Sequence, residues 1–377
     1  MPWEKRTVRD QRKEFVKRVR EGYRSVSSLC LEFGISRKTG YKWLDRASEG
    51  DELIDRNRTA KNIANKTALE IEKAVLAVRD KYHWGAAKIK EYLSTKYMMP
   101  STVTVNAIMK RNGRISEIDS EKRQHYIRFE RAECNELWQC DFKGEFRLRN
   151  NELCYPLNVI DDHSRYALAV EPKSNAGCVR GSIERIFKEY GLPKEMLADH
   201  GSSFAGHKGG ICQFERLLME QGVLPKHGRV RHPQTQGKVE RFNGSMQAEL
   251  LNWQEFEDMS HAAEVFAEWR EVYNNKRPHA AINMVPPSKV YKPSPRKFCE
   301  RVSEYEYGAG IKEIYCNYKG YIKVNGKTTF FSDTFSATRL GLKQVDDKSA
   351  QIVFREFALG IIDLEHGGLL ARRISRL

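Results

Sequence analysis

The sequence predicts a multidomain protein, with α-helical helix-turn-helix units first, an α/β domain next and a small C-terminal β-barrel last. Three observations lead to this prediction. Apolar residues recur at helical spacing through residues 9–114. From Leu137 onward, short apolar strands alternate with amphipathic helices, a pattern typical of α/β domains. Beyond Lys312 only short strands remain, two of them joined by the hairpin signal Asn325-Gly326.

The chain is strongly cationic. It has 377 residues and a formal net charge of +15, which suits a polyanionic partner such as nucleic acid. No stretch approaches the roughly 20 apolar residues that a membrane-spanning helix needs, so no membrane association is expected. Residues 1–20 are basic and lack the continuous apolar segment of a secretory signal. We therefore expect a cytoplasmic protein.

Cysteine usage agrees with a reducing compartment. The eight cysteines are scattered singly, with no CxxC pair and no Cys/His cluster at zinc spacing. We expect reduced, structural thiols. They are Cys30, Cys134, Cys140, Cys154, Cys178, Cys212, Cys299 and Cys316.

Residues 1–60 are predicted to form the first helix-turn-helix unit. Apolar faces mark two helices, the second of which ends at Gly34, and Ser36 is placed to cap a third. The alternative is an ordinary three-helix bundle with a solvated basic face. The short turn and the basic final helix favour helix-turn-helix, whose last helix enters the major groove. The candidate DNA contacts are Arg37, Lys38 and Lys42.

Residues 61–120 repeat this pattern and predict a second helix-turn-helix-like unit. A polar linker up to Lys66 leads to a helix around Leu69, a second helix after Gly85 and a third near Ser101. Two tandem units would read a longer DNA site than one.

Residues 136–292 are predicted to form the α/β domain, and residues 300–377 the β-barrel. An early meander of strands precedes alternating helices and strands. The predicted strands are 138–142, 156–160, 166–170 and a short one ending at 198; the predicted helices are 178–190, 211–221, 236–251 and 260–275. In the barrel, strands are predicted at 312–316, 318–324, 327–331, 351–354 and 359–364.

Three acids stand out by their position. Asp141 ends a strand, Asp199 directly follows another, and Glu240 lies in the first turns of a helix. Converging carboxylates repel one another and raise at least one pKa unless a divalent cation neutralises them. A site with oxygen ligands alone suits Mg²⁺ or Mn²⁺. Two such ions, roughly 3.5 to 4 Å apart, would hold the attacking and leaving oxygens of a phosphoryl transfer.

Five ordered motifs resemble the integrase catalytic core of bacterial insertion-sequence transposases, relatives of retroviral integrases. The motifs are WQCDF, NVIDDHSRY, LADHGSSF, HPQTQGKVERFN and YNNKRPHAAINMVPPSKVY. The resemblance implies an RNase H-like fold and makes Asp141, Asp199 and Glu240 the catalytic metal ligands. The acids are 199 − 141 = 58 and 240 − 199 = 41 positions apart. The second spacing is a few residues longer than the family's common one, and an insertion around residues 206–212 would account for it.

The resemblance also implies partners. They are double-stranded DNA, both the terminal repeats of the element and the target, and further copies of the chain assembled on that DNA. An enzyme of this kind is cytoplasmic and is associated with the nucleoid when it is bound to DNA. Near Glu240, side chains at the predicted helix N-terminus suit contacts to DNA phosphates. The candidates are Gln234, Gln236, Lys238 and Arg241.

Other polar residues of these motifs have competing interpretations. The resemblance makes the turn at Asp161 and Asp162 structural, although the pair is a tempting metal site. His200 is placed to approach a metal or a phosphate, or to bond nearby backbone, which we favour. Arg277 and His279 are as well explained by bracing the following helix or loop.

The working hypothesis is a transposase that cuts DNA at the element ends and joins the exposed 3′-hydroxyl to a target, using one metal-dependent site for both steps. One alternative is an inactive, sequence-specific DNA-binding regulator, for which two helix-turn-helix units would suffice. Another is a plain RNase H-like nuclease, which would explain the acids but not the N-terminal helical units.

Overall fold

The chain divides into two units, residues 1–66 and residues 67–377, in the computed structural model. Within the part of the chain that the structure describes, no helix is long and apolar enough to cross a membrane. The described residues are 7–55, 67–115, 130–177, 179–206, 210–228 and 237–377.

The first unit contains three short helices at the predicted positions. Thr7, Ser25 and Ser36 each cap a helix by accepting a hydrogen bond from a backbone amide in its first turn. Gly34 follows the second helix with φ +65°, and the amide of Ile35 bonds back to Cys30, which closes the turn before the third helix. The helices are α1 (Val8–Glu21), α2 (Val26–Glu32) and α3 (Arg37–Ser48).

Gly40 lets α3 approach the other two helices. A Cβ atom at this position would lie 2.5 Å from the Cys30 Sγ and 3.1 Å from the Phe15 Cζ. Both neighbours are buried in the small core of the unit, together with Leu29 and Trp43. Any side chain at position 40 would therefore push α3 away from α1 and α2.

We expect Gly40→Ala to destabilise the first unit by about 1 to 3 kcal/mol, the usual cost of overpacking a core. Hydrogen exchange of α1–α3 amides in the full chain measures this loss. Removing the Cys30 Sγ should offset part of it, so Cys30→Ala combined with Gly40→Ala should protect these amides better than Gly40→Ala alone. Unchanged exchange in Gly40→Ala would contradict the tight approach.

The second unit begins with another bundle of three helices, again near the predicted positions. Its core is built on Val75, Trp84, Ile89, Val105 and Ile108. The helices are α4 (Leu69–Tyr82), α5 (Ala86–Ser94) and α6 (Thr102–Arg111), the last capped by Ser101.

A five-stranded mixed sheet forms the centre of the second unit and confirms the α/β prediction. Its strands are β1 (Leu137–Phe142), β4 (Leu157–Asp161), β5 (Ala167–Glu171), β6 (Glu195–Ala198) and β7 (Leu224–His227), while β2 (Phe146–Arg147) and β3 (Leu153–Cys154) form a separate small hairpin. The strand order is β5-β4-β1-β6-β7. The β5, β4 and β1 strands pair antiparallel, whereas β1, β6 and β7 pair parallel.

Helices cover both faces of this sheet. They are α7 (Arg180–Tyr190), α8 (Gln213–Glu220), α9 (Gly237–Met246) and α10 (Met259–Asn275), and α9 continues into a π-helical turn, Gln247–Leu251. One apolar cluster joins the sheet to α7 and α8, and another joins it to α9 and α10. This packing fixes the strand ends from which Asp141 and Asp199 project.

The C-terminal region corrects the predicted barrel. It is a curled antiparallel sheet of seven strands in the order β10-β9-β8-β11-β12-β13-β14, and no backbone pairing between β10 and β14 closes it in the part of the chain that the structure describes. The Asn325-Gly326 turn has the predicted type I′ signature, with φ 48° and 81°. The strands are β8 (Ile311–Cys316), β9 (Tyr321–Val324), β10 (Lys327–Phe330), β11 (Thr338–Gln344), β12 (Ser349–Phe354), β13 (Phe357–Asp363) and β14 (Leu369–Arg376).

Helix α8 covers the concave side of this half-barrel. Ile211 and Met219 belong to the same buried cluster as Ile322, Phe335 and Ile352 of the curled sheet. The Thr334 hydroxyl donates to the Ile211 carbonyl at 2.5 Å. The apolar face that a closed barrel would bury within itself is therefore buried against the α/β domain.

Candidate active site

Asp141 and Asp199 lie side by side at one edge of the central sheet. Strands β1 and β6 are parallel, and their register pairs Leu137 with Glu195 and Gln139 with Leu197. Each pair is 58 positions apart (195 − 137 = 58), as Asp141 and Asp199 are. Because parallel neighbouring strands are only about 4.8 Å apart, continuing this register brings the two carboxylates together at the carboxyl ends of their strands.

The Asp141 carboxylate carries the electrostatic signature of this pairing. Burial raises the pKa of Asp141, the negative charge of Asp199 raises it further, and the result is a pKa of about 7. Asn243 opposes the shift by donating a 2.8 Å hydrogen bond to the Asp141 Oδ2. The site thus favours either a proton or a cation at Asp141.

Glu240 lies one helical turn before Asn243, on the α9 helix. Because residues three apart share a helix face, Glu240 projects near the side of α9 that faces β1. Its negative charge also contributes to the raised pKa of Asp141. The Glu240 side chain is exposed, whereas Asp141 and Asp199 are half-buried.

The three acids do not form a compact cluster. Among the residues that the structure describes, no three His, Cys, Asp or Glu side chains come together closely enough to hold a metal ion. The Asp141 and Asp199 pair offers carboxylate oxygens alone, which fit a hard divalent cation. Glu240, whose side chain is exposed, would complete such a site by a rotamer change with α9 in place.

Asp161 and Asp162 are fully buried and bonded to the fold. Asp161 accepts hydrogen bonds from the amide of Asn135 and from the amide and hydroxyl of Ser164. Asp162 forms a short ion pair with Lys238. The turn is structural, as the resemblance implies. The Lys238 side chain is only 12% exposed, so the predicted phosphate contact would require this ion pair to open.

His200 is bonded to backbone, as the favoured interpretation expects. Its Nε2 lies 2.7 Å from the Gly228 carbonyl oxygen, and its ring stacks on the His227 ring at a centroid distance of 5.1 Å. This contact holds the segment that follows Asp199 against the end of β7.

Arg277 braces the far end of the α9 helix, and the His279 Nε2 lies 3.0 Å from the Arg277 Nη1. Arg277 is buried and donates from its Nε to the Glu249 Oε2 at 2.8 Å, within the π-helical turn that follows α9. Lys88 of α5 adds a second ion pair to Glu249 at 2.9 Å. Burial acts to raise the pKa of Glu249, but the two cations outweigh it and keep this pKa below its ordinary value. These contacts support a bracing role for Arg277, but the element that it braces precedes the NNKRPH motif in the chain, whereas the sequence predicted bracing of the helix or loop that follows.

The second helical bundle is attached to the core through the same region. His83 stacks almost parallel on Trp253, with ring centroids 4.0 Å apart and an interplanar angle of 4°. Together with the ion pair of Lys88, this contact joins the bundle to the segment that ends the α9 helix. The bundle and the core thus belong to the same compact unit.

The candidate DNA contacts occupy different settings. One side of α3 exposes Arg37, Lys38 and Lys42, and Tyr41 is exposed on the same side. Arg241 is exposed on α9. Gln234 and Gln236 lie outside the described residues.

The seven described cysteines are free thiols, and Cys178 is outside the described side chains.

Two polar residues of the site were missed in the sequence. Asn243 was part of the quoted HPQTQGKVERFN motif but received no role, although its spacing of three from Glu240 places both on one helix face. Gln139 precedes Asp141 by two residues on β1, and the alternation of side chains along a strand, which puts both on one face, is the signal that could have identified it. Both side chains bond across to other elements of the site.

Comparisons with known families match the regions described above. Models of the integrase core domain match residues 131–233 and 221–287, and a helix-turn-helix domain model matches residues 11–61. These matches cover most of α1, all of α2 and α3, and the whole candidate site. The RNase H-like fold that the resemblance implies is consistent with the mixed sheet of the core.

Insertion-element proteins are similar in sequence. An uncharacterized protein of insertion element IS407 from Burkholderia multivorans is 31% identical over 157 residues, covering 41% of this chain and 54% of that protein. A protein of IS476 from Xanthomonas euvesicatoria is 28% identical and covers 41% and 44%. The putative transposase InsD of IS2E from Escherichia coli is 27% identical and covers 53% and 94%. The chain thus spans about half the length of the first two relatives.

Two solved structures show a weaker likeness. A simian T-cell lymphotropic virus intasome in complex with PP2A regulatory subunit B56 gamma aligns at a TM-score of 0.37 and 15% identity, covering 75% of this chain and 97% of that one. The HTLV-2 integrase catalytic core domain in complex with magnesium aligns at 0.33 and 15% identity, covering 43% and 99%. At these scores the likeness carries no conclusion about function.

Proposed function

We propose that this chain, which belongs through its integrase core to the insertion-sequence transposases of the retroviral integrase superfamily, binds element-end DNA and catalyses metal-dependent strand cleavage and strand transfer. The observation that carries the proposal is the pairing of Asp141 with Asp199 at the carboxyl ends of adjacent parallel strands. Glu240, on the helix packed beside them, is proposed as the third catalytic acid.

The oxygen donors of the site fit Mg²⁺ or Mn²⁺. Asp141 and Asp199 would hold the cation, and Glu240 would complete the set of ligands. The raised pKa of Asp141 reflects burial and repulsion by Asp199, which a divalent charge would offset. When bound, the metal, as one ion or two, would activate the attacking oxygen and neutralise charge on the transferred phosphoryl group. The protein's own contribution is to hold the three carboxylates and to orient the DNA strand.

The proposed reaction has two steps at one site. Water first attacks a phosphodiester at the element end and releases a 3′-hydroxyl. That hydroxyl then attacks a phosphodiester of target DNA, so the broken and formed P–O bonds balance in each step. Neither step needs a covalent intermediate with the protein. Assembly of several copies on paired ends is part of the proposal.

DNA recognition is assigned to the exposed face of α3. Removing two cations there, with Arg37→Ala and Lys42→Ala together, should weaken binding of the end duplex at least about tenfold. It should also lower the slope of log affinity against log salt concentration by about two, because two phosphate contacts are lost. Fluorescence anisotropy over a salt series measures both. Lys17→Ala, an exposed cation on α1, is the control; an equal loss there would contradict a specific role for α3.

The proposed function is tested by strand cleavage and joining on a labelled duplex that carries the terminal repeat flanking the coding sequence. Wild-type protein should give cleaved and joined products with Mg²⁺ or Mn²⁺ and none with a chelator, whereas Glu240→Ala should give none under any condition. Specific binding without cleavage under any metal would favour the DNA-binding regulator. Cleavage without joining or end preference would favour a nuclease.

A further inference from the structure

A buried polar network lies directly behind the proposed catalytic acids. It consists of Gln139 on β1, Asp162 in the turn after β4, and Lys238 on the first turn of α9. Gln139 and Asp162 are 1% and 0% exposed. Burying a charge and an amide is costly unless every polar atom finds a partner. The partners of this network are therefore informative.

Each member of the network ties two elements of the fold together. The Gln139 Nε2 donates to the Asp162 Oδ1 at 2.8 Å, and the Gln139 Oε1 accepts the backbone amide of Val239 at 3.1 Å. The Lys238 ammonium donates to the same Asp162 oxygen. The other Asp162 oxygen accepts the amide of Arg131 at 2.8 Å. Strand β1, the turn after β4 and the start of α9 thus share one set of hydrogen bonds.

The network is placed where it controls the distance between two catalytic acids. Gln139 is two residues before Asp141, and side chains two apart share one face of a strand. Lys238 is two residues before Glu240 on α9. On the other side of Glu240, Asn243 bonds to Asp141 and accepts a hydrogen bond from the Asn158 amide at 2.7 Å. Glu240 therefore lies between two tethers that join α9 to β1.

We propose that Asp162, Gln139 and Lys238 are positioning residues that hold the start of α9 against β1 and so set Glu240 at the distance from Asp141 that metal binding and strand transfer require. The inference rests on the proposed function of the three acids. It gives Lys238 a role inside the protein, on a carboxylate rather than on a DNA phosphate. The Asp162 carboxylate acts through Lys238 and Gln139 and does not itself bind the metal.

A purely stabilising role makes a different prediction. Removing Lys238 leaves Asp162 buried without its cation, which destabilises the protein, and removing both charges relieves that cost. If the pair only stabilised the fold, activity would recover together with stability. If the pair sets the geometry of Glu240, removing both charges restores stability but restores neither the metal affinity nor the rate of strand joining. Side chains that orient metal ligands affect such affinities and rates by about 10- to 100-fold.

The experiment compares Lys238→Met with the double variant Asp162→Asn and Lys238→Met in the full chain. Thermal unfolding, Mn²⁺ binding by calorimetry and strand joining on the end duplex are measured for each. We expect Lys238→Met to lower the melting temperature and to reduce both Mn²⁺ affinity and joining rate about 10- to 100-fold. The double variant should regain the melting temperature but neither the affinity nor the rate. Lys188→Met, which breaks an exposed ion pair with Glu300, should change neither affinity nor rate.

Two results would overturn the inference. One is recovery of Mn²⁺ affinity and joining rate together with stability in the double variant, which would leave only a structural role. The other is wild-type affinity and rate in Lys238→Met. If the wild-type protein itself joined no DNA strands, the proposed function would be refuted instead. The Mn²⁺ affinities of the variants would still report on the positioning of the acids. A wild-type protein that binds no Mn²⁺ would overturn both.

Discussion

Asp141→Asn should abolish strand cleavage and joining while making the metal-free protein more stable. Metal-ion catalysis supplies several kcal/mol of transition-state stabilisation, so losing one ligand should cost at least about a thousandfold in rate. The stability effect has the opposite sign because Asp141 is half-buried beside Asp199, and asparagine carries no charge to be repelled. The Asn243 hydrogen bond can be kept by the new amide oxygen.

The effect of Asp141→Asn on stability should depend on pH. The pKa of Asp141 in the folded protein is about 7, above its ordinary value of 3.8. The folded protein therefore favours the protonated Asp141 carboxyl. The contribution of this group to stability is complete below about pH 4 and is lost as the pH rises through about 7. The full shift corresponds to about 4 kcal/mol, and solvent screening at this half-buried side chain reduces it. Without metal, the free energy of unfolding of the variant should therefore exceed that of the wild type by on the order of 2 kcal/mol above pH 7 and match it near pH 4.

Denaturant unfolding at several pH values in a chelating buffer measures this difference, and the joining assay measures the loss of activity. Glu145→Gln, an exposed carboxylate just after β1, is the control for both. If the variant were less stable than the wild type above pH 7, burial and the charge of Asp199 would not destabilise the Asp141 carboxylate, which would contradict the prediction.

Arg277→Ala should destabilise the second unit by about 3 to 5 kcal/mol, the cost of leaving one partner of a buried ion pair without its counter-charge. Two guanidinium nitrogens of Arg277 contact Glu249 at 2.7 and 2.8 Å, and both side chains are 7% exposed. Lys88 remains on Glu249 in the variant but is more exposed. The loss should therefore loosen both the end of the α9 helix and the attachment of the second bundle.

Urea unfolding followed by tryptophan fluorescence measures the free energy of unfolding of this unit, which contains Trp84 and Trp269. Arg149→Ala is the matched control, because Arg149 pairs with Glu255 and Glu257 at the surface and should cost less than about 1 kcal/mol. Replacing both buried partners, with Arg277→Met and Glu249→Leu, should recover most of the stability. A cost below about 1 kcal/mol for Arg277→Ala alone would contradict the bracing role.

Local signals in the sequence were sufficient for the helices and for much of the site. Ser36 and Ser101 cap helices where predicted, because a side-chain oxygen near the first amides is a local interaction. The spacing of Asp141 and Asp199 agrees with the strand register, and the motifs around them matched an integrase core. These features depend on neighbouring residues or on family-wide motifs, so the chain itself carries them.

The tertiary structure alone decided features that depend on distant partners. Strand β7 holds Pro225 and is only four residues long, so its identity comes from pairing with β6 at the sheet edge. The predicted barrel remains open because α8, far away in sequence, covers its apolar face. Lys238 looks like a surface cation in the sequence, yet Asp162, 76 positions away, holds it inside. Burial and charge pairing of this kind arise from long-range packing, which no local pattern of residues encodes.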